Sequence, residues 1–119
     1  MTVRPPRALA PKIDIWTGNS TALDYEIAQE KASTLGRLGR ALEAALEALH
    51  AFDAQAIAAT AQTRAERKAL VAEAGHALWL FVVQREALGL RDSRQVMRDY
   101  AVPPEVQSRM GMLPARKSR

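Results

Sequence analysis

Three groups of residues in this chain have types and spacings that could do chemistry. The first is polar: Tyr25, Glu26, Glu30 and Lys31 in one segment, and Gln84, Arg85, Glu86, Arg91 and Asp92 in another. If those segments fold back on each other with a turn near residues 53–56, Ile27 comes roughly opposite Arg85 and the two groups meet. Arg85 falls on an apolar stripe, so it needs a carboxylate partner or an open edge. Glu30 is the partner expected. Such a cluster is either a pocket for a small anion or a partner protein, or an ion-pair network that fixes helix register. Helical bundles commonly use the second.

The second group is Glu73-Ala-Gly-His76. One Glu-x-x-His step from each of two helices, with single glutamates from the others, is how ferritin-like carboxylate proteins hold two irons. Two copies of this chain would supply two such steps. The facing glutamates available are Glu43 and Glu47, and neither is clearly placed. A solvated Glu73 beside an interfacial histidine explains the pair as well.

The third group spans Ser93 to Gly111, where two short helical stretches in a basic region suggest a helix-turn-helix. Gln107 and Arg109 would be its base-reading side chains. Pro103 and Pro104 occupy the turn and the start of the would-be recognition helix, which favours a pair of short helices capping a bundle. Gly36-Arg-Leu-Gly-Arg40 lies in mid-helix with no strand before it, so it fails as a phosphate loop. Ser20, Thr21, Ser33 and Ser93 have no histidine placed to activate them. No catalytic residue, cofactor site or metal site is assigned, and the chain reads as no enzyme.

The elements that carry these groups are helices. Alanine makes up about a fifth of the 119 residues, and aromatics 5 %. Ala buries little surface, so the core of one chain is thin, and pairing with a second copy would thicken it. Thr21-Ala-Leu-Asp24 has capping-box spacing and opens a first long helix with the stripe Leu23, Ile27, Leu35, Leu38, Leu42, Leu46, Leu49 and Phe52. Asp53 is a candidate cap for the second long helix. The stripe of that helix is Leu70, Ala74, Ala77, Leu78, Phe81, Arg85 and Leu88, ended by Gly89 in the left-handed position. Trp79, Leu80 and Val83 fall on its far side, which therefore needs a cover. Gly36 and Gly39 would let another backbone approach.

Two short helices complete the fold. Asp92 caps the first, with Gln95 bonding back to it, and Pro104 stands in the first turn of the second, Glu105 to Met110, closed by Gly111. Residues 1–19, with Pro5, Pro6 and Pro11, read as an extended arm, partly disordered, from which Ile13, Ile15 and Trp16 could dock. Residues 20–111 form a single helical domain, and 112–119 a disordered basic tail.

The formal charge is +4. The positive excess sits in the arm and after Gly89, while the long helices carry slightly more acid than base. Weak attraction to nucleic acid or anionic lipid is therefore permitted without a formed patch. No cysteine is present, which excludes disulfides and thiolate chemistry. The longest apolar run, Ala77 to Val83, is too short to span a bilayer. The expected setting is cytoplasmic, with no membrane partner.

Leu23-Asp-Tyr-Glu26, Glu30-Lys-Ala32, Leu35-Gly36 with Gly39-Arg40, Gln84-Arg-Glu86, Gly89-Leu-Arg-Asp92 and Tyr100-x-Val-Pro103 with Glu105-Val106 and Gly111 together resemble a small bacterial family of unknown function. The resemblance covers nearly the whole chain after the arm. It implies a compact all-helical, bacterial, cytosolic protein, and it brings no activity, cofactor or catalytic residue. Much of the pattern concentrates in the Tyr25–Glu30 and Gln84–Asp92 cluster.

The sequence thus points to an all-α fold: a long antiparallel helical hairpin plus two short C-terminal helices, dimerising into a four-helix bundle. The candidate dimer interface is Gly36, Gly39, Trp79, Leu80 and Val83. The function expected is that of a non-enzymatic, self-associating protein that binds another protein. A nucleic-acid-binding protein is the alternative, and a carboxylate metal-binding bundle a distant third.

Overall fold

The structure is a computed structural model that describes residues 9–111, with side chains from residue 21 onward. It is all helical among those residues. In order come α1 (Leu9–Ala54), α2 (Ala61–Ala87), α3 (Ser93–Asp99) and α4 (Pro104–Arg109). No helix among the described residues is long and apolar enough to cross a membrane. The chain divides into two units, Met1–Thr34 and Leu35–Arg119.

The first unit contains the beginning of α1. The arm expected over residues 1–19 and the helix start at Thr21 give way, from residue 9 onward, to continuous helix. Pro11 is the third helical residue, where the backbone nitrogen has no intrahelical acceptor to lose. Gly18 costs a helix only about 1 kcal/mol relative to Ala. Residues 1–8, with Pro5 and Pro6, and the tail from 112 lie outside the described residues, as do the side chains of Ile13, Ile15 and Trp16. Every residue from 21 to 33 is exposed. The N-terminal part of the expected stripe therefore lies open, with Leu23 at 55 % and Ile27 at 42 %.

The second unit holds the core. Leu42, Leu46 and Leu49 of α1 pack with Val71, Ala74, Leu78, Phe81 and Val82 of α2, and Val96, Val102 and Val106 close the cluster. Leu35, Leu38, Leu70, Ala77, Met97 and Tyr100 pack around it. The three-and-four spacing of both stripes produces this face. Burial of the larger side chains contributes about 1.5–3 kcal/mol each.

The loop between α1 and α2 sets the hairpin register. Ala56 takes the left-handed conformation at φ 53° where glycine is more usual. Thr60, not Asp53, caps α2. Its hydroxyl accepts from the Thr63 amide at 3.1 Å, while the Thr63 hydroxyl accepts from the Thr60 amide at 2.8 Å. Asp53 of α1 pairs with Arg67 of α2, and the Gly39 position faces the Phe81 ring. Both pairs make the helices antiparallel, and they put Arg85 level with Leu35. The loop extends past residues 53–56, which moves α2 about two turns from the expected register.

Each later element has a stop readable in its bonds. Gly89, at φ 88°, follows α2 in a double cap: Leu90 N–H donates to Arg85 C=O at 2.8 Å and Gly89 N–H to Glu86 C=O at 3.0 Å. The same pattern ends α3, where Val102 N–H donates to Met97 C=O and Ala101 holds the left-handed position at φ 50°. Asp92 is the N-cap of α3 but makes no side-chain capping bond. Pro104 begins α4 as expected, because its missing N–H has no acceptor there anyway.

Candidate functional site

The most strongly organised charged group is one that sequence spacing does not reveal. Arg67, on the first turns of α2, is held by two carboxylates at once. Its Nε and Nη2 donate to Asp53 Oδ1 and Oδ2 at 2.7 and 3.0 Å, and its Nη1 and Nη2 donate to Glu105 Oε1 and Oε2 at 2.9 and 2.5 Å. The planar fork of arginine suits this double bidentate grip. One side chain thereby ties the end of α1, the start of α2 and the start of α4. The hydrogen bonds from Arg67 hold the Asp53 and Glu105 carboxyls below the usual carboxylate range, against a smaller opposing effect of desolvation. Donating to Glu105 and then to Asp53 raises the Arg67 pKa in turn.

Beside Arg67 lies a cleft lined by Arg64, Arg67, Lys68, Val71, Glu105, Ser108 and Arg109. Arg64, Lys68 and Val71 recur at helical spacing on one face of α2, and α4 forms the opposite wall. Four of the five Arg67 N–H donors are taken by its two carboxylates. Arg64 donates to the Ala59 carbonyl at 3.1 Å, leaving part of its fork free. Neither Arg64, Lys68 nor Arg109 makes an ion pair among the described residues. The Nε of Arg109 is buried without a hydrogen-bond partner.

The wall formed by α4 stands close because of Gly75. A Cβ at Gly75 would come within 2.8 Å of Arg109 Cβ and 3.1 Å of the Arg109 carbonyl. Glycine is therefore required at this crossing.

A second group surrounds Phe81. Tyr100 meets its ring edge-on at 5.4 Å, and the Arg85 guanidinium lies over it at 5.9 Å from the centroid. The Arg85 Nε is buried without a hydrogen-bond partner, so the aromatic face is its nearest compensation. Burial pushes the Tyr100 hydroxyl pKa up, and the Glu43 charge adds to it.

The candidate dimer residues divide. Gly39 is buried inside the chain: a Cβ there would meet the Tyr100 hydroxyl at 3.0 Å and Phe81 Cε1 at 3.2 Å, so its small size serves the protein's own aromatics. Gly36 is half-buried and faces only Arg40 Nη1 at 3.4 Å. Trp79 and Val83 remain exposed at 38 % and 43 %, and Leu80 is half-buried. Part of the Trp79 indole is approached by Gly111, and His76 stacks on its ring at 6.3 Å. The turn after α4 thus supplies part of the cover that α2 required.

The chain matches the model of a family of unknown function, DUF6665, over residues 12–118. It belongs to that family. No curated protein and no solved structure matches it. Membership in DUF6665 brings no activity, ligand or partner, so a functional reading rests on the residues themselves.

Most of the remaining expected site residues are exposed. Tyr25, Glu26 and Glu30 are exposed on the first unit, and Glu86, Arg91 and Asp92 are exposed on the second, where Gln84 and Arg85 are half-buried. Glu73 is exposed, and no group of three or more potential metal ligands exists among the described residues. Gln107 donates to the Val102 carbonyl at 2.9 Å and Arg109 packs on Gly75, so α4 is docked on α2 instead of projecting like a recognition helix. The Arg67 hub escapes sequence reasoning because its partners lie 14 and 38 residues away, beyond any local spacing signal. Gly75, the middle of the Glu73-x-x-His76 step, matters for its missing side chain, which the spacing of its neighbours does not register.

Proposed function

We propose that this is a non-enzymatic helical protein that works by docking helices, first against a second copy of itself. The observation that carries the reading is the open stretch of α1. Residues 21–33 are all exposed, yet Leu23 and Ile27 stand among them one helical turn apart on one face. A lone helix in water is marginal, and most helical stability comes from packing an apolar face. Charge supports an antiparallel second copy as the occupant. Asp24, Glu26 and Glu30 precede Lys31, Arg37 and Arg40 along the same helix. Two copies running in opposite directions set acid against base.

A bacterial, cytosolic setting and a further protein partner complete this reading. The test is the solution mass by light scattering on a sizing column, for the wild type and for a Leu23→Asp, Ile27→Asp variant. A two-chain wild type and a one-chain variant support it. A two-chain variant that falls to one chain only on Val83→Asp moves the interface to the Trp79 face of α2 and overturns the assignment to α1.

A further inference from the structure

The cleft between α2 and α4 carries a separate inference, independent of self-association. The geometry points to a binding site for the phosphate group of a small phosphorylated molecule, held by Lys68, Arg64 and Arg109.

Charge defines the cleft. Four cations and one carboxylate line it. Glu105, the carboxylate, is turned to Arg67, which also donates to Asp53. Both carboxylates of that triad are therefore already paired with Arg67. Lys68, Arg109 and the free part of the Arg64 fork therefore set the character of the space, with no carboxylate of the described residues paired to any of them. Clusters of like charge normally separate or recruit counter-charges, because each cation raises the electrostatic cost of the next. Here they are held together. Lys68 and Arg64 are one turn apart on α2. Arg109 cannot withdraw, because its backbone is pressed against Gly75. Its buried, unpartnered Nε marks a guanidinium already taken partly out of water without an acceptor, a condition that costs stability unless an anion offsets the charge.

The chemistry of the donors selects the ligand. Guanidinium and ammonium groups together match the oxygens of a phosphate, arginine by its planar fork and lysine as a point charge. The space is about 380 Å³, within the range of small-molecule sites of about 300–1,000 Å³ and larger than a lone ion needs. Val71 and the aliphatic stems of Arg64 and Lys68 give it an apolar side suited to the organic part of a phosphate ester. A duplex would meet a narrow cleft walled by a docked α4, with no helix projecting to enter a groove.

Inorganic pyrophosphate is the probe. It is titrated calorimetrically into the full chain at low ionic strength, and into an Arg64→Ala, Lys68→Ala variant. Both residues are exposed, so the variant keeps the helical circular dichroism of the wild type. Saturable one-to-one binding is expected, weakened at least tenfold in the variant and retained by Lys68→Arg. No binding by the wild type, or equal binding by the variant, overturns the site. Binding of a twenty-base-pair duplex without any binding of pyrophosphate overturns it in favour of a nucleic-acid surface.

Discussion

Gly75 of α2 lies so close to Arg109 of α4 that a methyl group on the glycine would stand 2.8 Å from the arginine Cβ. This crossing seats α4 and makes one wall of the cationic cleft. Gly75→Ala should destabilise the protein by about 1–3 kcal/mol through overpacking, more than the gain in helix propensity returns. Gly36→Ala, which faces only a flexible arginine tip at 3.4 Å, should stabilise by about 0.5–1 kcal/mol. Urea unfolding of the two variants checks the contrast. A harmless Gly75→Ala would show that α4 packs less closely on α2 than this crossing requires.

The Arg67 hub makes stability depend on acid. Asp53 and Glu105 have folded pKa values held below their unfolded ones by the Arg67 hydrogen bonds. Their contribution is fully present above the ordinary carboxylate range near pH 4 and is lost as pH falls through the lowered values. Unfolding free energy measured between pH 7 and pH 2.5 should therefore fall at the acid end. Arg67→Met should reduce that fall. An unchanged slope in the variant would show that other carboxylates carry it.

Ala101 follows α3 at φ 50°, a conformation that costs an L-residue about 1–2 kcal/mol. Ala101→Gly relieves this strain at the cost of a more flexible unfolded chain. The expected net effect is a gain of about 0.5–1 kcal/mol, read as a higher urea midpoint. A lower midpoint would place Ala101 outside the left-handed region in solution.

Legibility of the fold from the chain depends on whether each signal is local. The stripes from Leu35 to Leu49 and from Leu70 to Phe81, the Gly89 stop and the Pro104 start all follow from spacing or from one residue's backbone chemistry, and each stands in the fold. The start of α1 does not, because Gly18 and Asn19 weaken a helix without being able to end it. The register is displaced because Thr60 shares its capping box with Thr63, where Glu or Gln is the more familiar partner. The cationic cleft is invisible for a different reason. Its members come from two helices far apart in sequence, and the glycine at the crossing lets them come close.

The proposed function stands or falls with the open apolar stretch of α1 as an interface between copies. Light scattering of the wild-type chain across a tenfold range of concentration tests it most directly. A mass of two chains, reduced to one by Leu23→Asp with Ile27→Asp, is expected. A wild type that stays at the mass of one chain at every concentration would contradict it.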